Sequence, residues 1–170
     1  MAQTTALPYL IQPEADDDEI VALIESWSYQ GTPVPFSDVI GHTRQVDEMR
    51  RLAAVLRIAQ SDPDRLARMG VRTGGRGAIL LGPPGVGKTM TARAAATDSG
   101  RRCIVLPTSL MTAELIDRTY RQLARSEPSV VIIDEADRLI GKDWVGGVDT
   151  EGRSALLAAL DGIQRPGAGV

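Results

Sequence analysis

Residues 78–91 constrain this chain more than any other stretch of its sequence. Four consecutive apolar residues, Ala-Ile-Leu-Leu, predict a short buried strand at 78–81. The next eight residues, from Gly82 to Thr89, read Gly-Pro-Pro-Gly-Val-Gly-Lys-Thr, and a helical pattern begins near Lys88. A strand, this glycine-rich loop and a helix in that order match the G-x-x-x-x-G-K-[ST] phosphate-binding loop.

The residue types in this loop suit a triphosphate that is bound together with magnesium. Glycines let backbone N–H groups converge on an anion, and the following helix points its positive end at it. Lys88 would reach the β- and γ-phosphates, and the hydroxyl of Thr89 would bind Mg²⁺. A glycine-rich turn with an incidental lysine is the alternative. The flanking strand and helix patterns count against it, as does the scarcity of lysine, since Lys88 and Lys142 are the only two.

The composition is that of one globular domain in a reducing compartment. The chain has 170 residues, of which 43% are hydrophobic and 24% charged, which is enough for one hydrophobic core. A net charge of −3 provides no global basic field for nucleic acid. The single cysteine, Cys103, lies in a predicted strand and is expected to be a core thiol. Because no apolar run is long enough to span a bilayer and the N-terminus lacks a signal-peptide pattern, we expect a cytoplasmic protein.

Residues 1–35 are predicted to form an N-terminal extension that contains one amphipathic helix and a linker. Four acidic residues at 16–19 precede an apolar helical face that ends near Trp27. The glycine and prolines of residues 31–35 then end the helix and are typical of a linker. Two alternatives are open for this helix. It packs on the body of the domain, or it docks onto a partner or neighbouring subunit with Trp27 as its anchor.

Beyond residue 35, helical and strand patterns alternate along the chain. Asp62 before Pro63 predicts the start of a short helix, and Gly70 predicts its end. The apolar run 130–133 has no alternation, as expected for a parallel strand covered on both faces. We expect further helices at about 43–60, 88–97 and 112–125 and a further strand at 103–106. These patterns predict an α/β domain of three layers with a parallel sheet.

Two carboxylates follow the predicted strand at 130–133. Asp134 and Glu135 would lie at the C-terminal end of a central parallel strand, where ligands bind in such sheets. Asp134 would hold Mg²⁺ through water, and Glu135 would orient or deprotonate an attacking water. The alternative is a helix N-cap with an acid in the first turn. The phosphate-binding loop one βα unit earlier favours the metal-binding and catalytic roles.

Together these segments resemble the AAA family of ATPases within the AAA+ P-loop NTPases, and within it the unfoldases and membrane-protease ATPases. The resemblance is carried by Phe36–Gly41, by the double-proline loop Gly82–Thr89, which matches the Walker A motif, and by Val130–Asp137, which matches Walker B. Residues 154–162 are also similar to a family helix that ends in Leu-Leu-x-x-Met-Asp-Gly. The resemblance implies a nucleotide-binding domain over residues 36–170.

The resemblance implies ATP and Mg²⁺ as ligands and ATP hydrolysis as the activity. Thr89 and Asp134 match the metal-binding positions, and Lys88 and Glu135 match the catalytic positions. His42, the only histidine, is expected beside the nucleotide rather than at a metal. The positions that match nucleotide-binding residues are Val39, Ile40, Gly41, Gly82, Pro83, Pro84, Gly85, Val86, Gly87, Lys88, Thr89 and Met90. The resemblance further implies a homo-oligomeric ring, completed at each site by an arginine of the next subunit, with a protein as substrate or partner.

Two departures from the family pattern bear on function. Residues 108–114 contain no aromatic residue where the family's pore loop carries one, and Leu110 and Met111 are the apolar substitutes. The next core strand, its polar sensor residue, the arginine fingers and the helical lid would all follow Val170, so we expect a module that is truncated at its C-terminus. Two other functions stay open. One is an ATP-binding regulatory or assembly module without turnover, and the other is a DNA-associated ATPase, which the acidic balance disfavours.

Overall fold

A computed structural model describes residues 16–71, 77–108 and 112–136 of the chain. Its elements follow the order α1 (Asp17–Ser26), a 3-10 turn (Phe36–Asp38), α2 (Thr43–Ser61), α3 (Pro63–Arg68), α4 (Lys88–Ser99), β1 (Arg102–Leu106), α5 (Ala113–Ala124) and β2 (Ser129–Ile133). Helices and strands alternate from α4 onward, which confirms the predicted α/β class. The predicted helix at 154–162 and the two apolar pore-loop residues, Leu110 and Met111, lie outside the described residues.

Local sequence signals account for the ends of several helices. Asp16 and Glu19 form a capping box at the start of α1, in which each carboxylate accepts the other residue's backbone N–H, at 3.2 Å and 2.8 Å. Asp62 caps α3 by accepting the N–H of Arg65 at 3.0 Å, and Pro63 occupies the first turn as predicted. Gly100 ends α4 in the left-handed conformation. These helix ends are therefore determined by a few residues close in sequence.

The two strands form a parallel pair that helices cover on both faces. Arg102 pairs with Ser129 at one end of the register and Leu106 with Ile133 at the other. On one face, Ile104 and Leu106 are buried in a hydrophobic cluster with residues of α1 and α5. Helix α4 packs against the strands as well. The result is the three-layer arrangement expected of a P-loop α/β domain.

Helix α1 packs on the body of the domain. Ile20 and Ile24 are 2% and 4% exposed, and both lie in the cluster that contains Ile104 of β1 and Ile116 of α5. Burial of these two isoleucine side chains stabilises the attachment by about 3–6 kcal/mol. Trp27 is half-buried against the same cluster. Of the two alternatives for this helix, the structure therefore shows packing within the chain.

The chain that follows α1 adds a short segment to the outer edge of β1. Tyr29 donates its backbone N–H to the carbonyl of Cys103 at 2.8 Å, and Val105 donates to the carbonyl of Trp27 at 2.9 Å. Ser28 thereby forms an antiparallel bridge with Ile104. Strand β1 is consequently paired on both sides, with β2 on one edge and residues 27–29 on the other.

The predicted strand before the phosphate-binding loop does not form in the described structure. Residues 78–81 have no ladder partner, and Ile79 and Leu81 are 68% and 90% exposed. Only Leu80 packs inward, against the cluster between α2 and α4. A strand requires a neighbouring backbone for its N–H and C=O groups. Within the described residues, β1 pairs with β2 and with residues 27–29, and neither strand pairs with 78–81. The prediction of a buried strand at 78–81 is therefore wrong here.

A second hydrophobic cluster joins the 3-10 turn to α2 and α4. Ala53 of α2 and Ala94 of α4 are fully buried, and such small side chains allow the two helices to approach closely. Phe36 is buried in this cluster, with the guanidinium of Arg50 at 5.3 Å from its ring centroid. The cluster holds the start of residues 36–42 beside α4.

No helix among the described residues is both long and apolar enough to cross a membrane.

Candidate functional site

The phosphate-binding loop leads directly into the N-terminus of α4. Gly85 and Gly87 adopt φ angles of +79° and +84°, in the left-handed region. A Cβ built at either position meets no atom within 4 Å, so the backbone conformation and not a lack of space requires glycine there. Gly87 is also the N-cap of α4. The loop therefore presents backbone N–H groups and a helix N-terminus together, which is the arrangement that binds phosphate.

Lys88 folds back over the loop that precedes it. Its ammonium donates to the carbonyl oxygens of Gly82 and Pro83, each at 2.8 Å. An ammonium has three donors, so these two carbonyls leave capacity for one further acceptor. The positive charge predicted to meet the phosphates is thus held at the loop itself.

Thr89 and Asp134 meet although 45 positions separate them in the sequence. The hydroxyl of Thr89, in the first turn of α4, donates to Oδ2 of Asp134 at 2.8 Å. The other carboxylate oxygen, Oδ1, accepts the backbone N–H of Glu135 at 3.0 Å. Asp134 follows the last residue of β2, so the packing of α4 against the sheet creates this contact. The structure therefore brings together the two residues predicted to bind the metal.

Glu135 has an unusual backbone conformation. Its φ angle is +52°, in the left-handed region, where a non-glycine residue costs about 1–2 kcal/mol. Within the described residues, the other non-glycine residue with positive φ is His42, at +47°. Both residues belong to the predicted nucleotide site. Left-handed backbone at non-glycine residues is concentrated at functional sites in proteins.

A cavity of about 380 Å³ lies between the phosphate-binding loop and residues 38–42. A volume of this order is typical of small-molecule pockets. Ile40 is 92% exposed at its edge. The residues that line the cavity are Asp38, Val39, Ile40, His42, Gly85, Val86, Gly87 and Met90. The cavity thus combines two separately predicted segments, and it includes Asp38, which the sequence patterns did not single out although it directly precedes Val39.

Four further predicted site residues lie in the same two segments but do not line this cavity, namely Gly41, Gly82, Pro83 and Pro84. Gly41 is part of the turn that leads into α2, with a φ angle of +83°. Gly82 and Pro83 contribute the carbonyls that accept from Lys88, and Pro84 follows them in the loop.

The oxygen donors at Thr89 and Asp134 fit a magnesium ion. Mg²⁺ uses one or two protein oxygens together with phosphates and waters, rather than a cage of protein ligands. Among the described residues, no group of three or more histidine, cysteine or acidic side chains could enclose a metal. The adjacent hydroxyl and carboxylate supply the small donor set that Mg²⁺ prefers.

A glycine-rich loop before α4, a carboxylate after a parallel strand that meets the first turn of that helix, and a cavity next to the loop define a P-loop nucleotide-binding domain. The chain belongs to the AAA family, because the sequence model of the family described as "ATPase family associated with various cellular activities (AAA)" matches residues 78–170.

Three relatives illustrate the range of AAA proteins that this chain resembles. Katanin p60 ATPase-containing subunit A1 of Strongylocentrotus purpuratus is 32% identical over 92% of this chain. ATP-dependent zinc metalloprotease FtsH of Hahella chejuensis is 33% identical over 75% of it, and proteasome-activating nucleotidase of Sulfurisphaera tokodaii is 29% identical over 91%. The aligned regions cover 32%, 22% and 41% of those proteins, so the chain corresponds to less than half of each.

Proposed function

We propose that this chain binds ATP with Mg²⁺ and hydrolyses it to ADP and phosphate as part of an AAA assembly. The observation that carries the proposal is the 2.8 Å contact between the Thr89 hydroxyl and the Asp134 carboxylate. It unites the helix that begins at the phosphate-binding loop with the acidic end of β2. This is the juxtaposition that a P-loop enzyme uses to hold the metal of its nucleotide.

The proposed nucleotide contacts fall into two groups. Val39 and Ile40 would line the base side of the cavity, with Gly41 in the turn after them, while Gly82–Met90 would surround the phosphates. Lys88 would exchange its contacts to the Gly82 and Pro83 carbonyls for the β- and γ-phosphates. Two observations support this division, namely the cavity shared by both segments and the position of the lysine at the loop.

Glu135 is the proposed positioning group for the attacking water. Its carboxylate follows Asp134 directly, at the exposed end of β2. Bound Mg²⁺ would supply charge neutralisation at the β- and γ-phosphate oxygens. Thr89 and Asp134 would hold that ion, Lys88 would stabilise the charge on the transferred group, and Glu135 would orient water in line with the γ-phosphate.

We further propose that the protein is cytoplasmic, forms a homo-oligomer and acts on a protein partner. The names of similar proteins support this substrate class, because one is an ATP-dependent metalloprotease and another is a proteasome-activating nucleotidase. The sequence pI near 5.2 gives no basic surface excess for nucleic acid. Stimulation of ATP hydrolysis by an unfolded protein, but not by DNA, is the expected result.

The direct test is ATP binding and hydrolysis by the chain across a range of protein concentrations. We expect Lys88→Ala to abolish binding, and Glu135→Gln to retain binding but lose turnover. Arg51→Ala is the matched control, because this exposed arginine of α2 makes a surface ion pair with Glu48 and should change neither property. Binding without turnover at every concentration would favour a regulatory module instead. Normal ATP binding by Lys88→Ala would refute the proposed site.

A further inference from the structure

We propose that Arg93 and Thr97 are positioning residues that hold residues 27–35 against α4. We call residues 27–35 the N-terminal tether. The tether continues directly into residues 36–42, which include the four residues on the proposed base side of the cavity, namely Asp38, Val39, Ile40 and His42. Helix α4 carries Lys88 and Thr89 in its first turn and Arg93 and Thr97 further along. The same helix therefore sets the distance between the phosphate side and the base side of the site, an inference that rests on the proposed function.

The first contact that holds the tether on α4 is between Arg93 and Tyr29. The guanidinium carbon of Arg93 lies 4.6 Å from the centroid of the Tyr29 ring, within cation–π range. The ring is folded across Gly31, where a built Cβ would lie 2.8 Å from its Cε2 and still closer to its Cζ and its hydroxyl oxygen. Any side chain at position 31 would push the ring away. The tether is thus shaped so that Tyr29 reaches Arg93.

Cys103 shows on which face of the sheet this grip lies. Because Ser28 forms the antiparallel bridge with Ile104, Tyr29 lies opposite Cys103 in the same register, and its N–H donates to the Cys103 carbonyl, so the two side chains project to the same face. Burial raises the pKa of the Cys103 thiol, and the positive charge of Arg93 partly opposes that rise. Arg93 therefore lies near both side chains, on the face that α4 covers.

The second contact between the tether and α4 lies closer to the cavity. The hydroxyl oxygen of Thr97 accepts the backbone N–H of Val34 at 3.1 Å. Two residues later Phe36 enters the cluster between α2 and α4, and Asp38 and Val39 then line the cavity. Because so little chain separates Val34 from Val39, we expect a displacement of Val34 to shift the base side of the site.

The start of the tether, at residues 27–29, is held by contacts that do not involve α4. Arg102 of β1 donates from Nε to the hydroxyl of Ser28 at 2.8 Å and forms an ion pair with Glu25 at 2.8 Å. These contacts, together with the backbone pairing on β1, fix where the tether begins. The contacts of Arg93 and Thr97 then determine the path of the tether toward the cavity.

A reversible covalent lock tests the proposal in the full chain. Cys103 is the only cysteine, so Tyr29→Cys creates a cross-strand pair that can be oxidised and reduced. Gln30→Cys is the matched control, because successive side chains of an extended segment point to opposite faces, and Gln30 is exposed. The measurements are the dissociation constants for ATP and for inorganic tripolyphosphate, with oxidation state followed by thiol titration.

We expect an intramolecular disulfide in Tyr29→Cys and none in Gln30→Cys. Reduced Tyr29→Cys should bind ATP about three- to tenfold more weakly than the wild type, because the contact with Arg93 is lost. The oxidised form should recover to within about twofold, since the lock replaces that contact. Tripolyphosphate affinity should stay constant throughout, because it depends on the phosphate-binding loop and not on the base side.

Two further variants test the two contacts with α4 separately, without a disulfide. Thr97→Val removes the acceptor for Val34, and Gly31→Ala displaces the Tyr29 ring. Each should weaken ATP binding and leave tripolyphosphate binding unchanged. Gly31→Ala should have no additional effect in reduced Tyr29→Cys, where no ring remains to be displaced.

The outcomes separate this inference from the proposed function. ATP affinity that is equal in the oxidised, reduced and wild-type chains, with tripolyphosphate binding intact, would overturn the positioning role and leave the proposed function standing. Failure of the wild type to bind either ligand would overturn both. Absence of the disulfide in Tyr29→Cys would overturn the strand pairing on which the inference depends.

Discussion

Replacement of Glu135 by glycine should leave the chain more stable than replacement by alanine, although both variants lack the proposed catalytic carboxylate. The φ angle of +52° at Glu135 costs a residue with a Cβ about 1–2 kcal/mol, whereas glycine adopts this conformation freely. Glycine also gains conformational entropy in the unfolded chain, which offsets about 0.4–1 kcal/mol of that benefit. We therefore expect Glu135→Gly to exceed Glu135→Ala by about 1 kcal/mol in free energy of unfolding.

The comparison with Glu135→Ala isolates the backbone, because both variants lack every contact of the glutamate side chain beyond Cβ. For a chain of this size, about 1 kcal/mol corresponds to a difference in Tm of roughly 2–4 °C. Thermal unfolding followed by circular dichroism, without nucleotide, measures it. The same pair compared with Mg²⁺ and ATP present shows whether Glu135 keeps this conformation in the complex. A Tm for Glu135→Gly equal to or below that of Glu135→Ala would refute the left-handed conformation of Glu135.

Three other predictions concern the attachment of α1, alkaline stability and the metal site. Ile24→Ala should lower the free energy of unfolding by about 2–5 kcal/mol in denaturant titrations, whereas Val21→Ala, at a residue 37% exposed on the same helix, should change it by less than about 0.5 kcal/mol; equal effects would contradict the packing of α1. Burial raises the pKa of Tyr120, so its contribution to stability is complete below the unfolded pKa near 10 and is lost as pH rises through the higher folded pKa. Tyr120→Phe should therefore flatten the fall in Tm above about pH 10, and an unchanged slope would exclude this tyrosine as its source. Thr89→Val should abolish the effect of Mg²⁺ on ATP affinity measured by calorimetry, while Thr89→Ser preserves it; a retained Mg²⁺ effect in Thr89→Val would remove the hydroxyl from the metal site.

Short-range patterns predicted the elements whose ends depend on neighbours in the sequence. Helix α2 was expected at about 43–60 and spans Thr43–Ser61, and β2 was expected at 130–133 and spans Ser129–Ile133. The Asp62-Pro63 start of α3 was also confirmed, because a cap and a proline act within one helical turn. The spacing of glycines in the phosphate-binding loop was equally readable, since the positive φ angles of Gly85 and Gly87 are local properties.

The candidate site was predicted as two separate motifs, and only the fold showed that they meet. Thr89 and Asp134 were assigned to one metal ion by their residue types and by the resemblance to the AAA family. Their 2.8 Å contact depends on how α4 packs against the sheet. The left-handed backbone of Glu135 had no signal in the sequence, because glutamate has no local preference for that region.

Residue types and their spacing were enough to predict a loop that suits phosphate, carboxylates that suit magnesium, and helices and strands in alternation. Which backbone each segment pairs with depends on the tertiary structure. Residues 27–29 have no strand pattern, yet they pair with β1 because α1 packs against Ile104 of β1 and ends directly before them. Residues 78–81 have a strand pattern, yet no described strand lies beside them. The physical reason is that a β-strand is completed by hydrogen bonds to a neighbour distant in sequence, whereas caps, turns and phosphate-binding loops are completed by residues nearby.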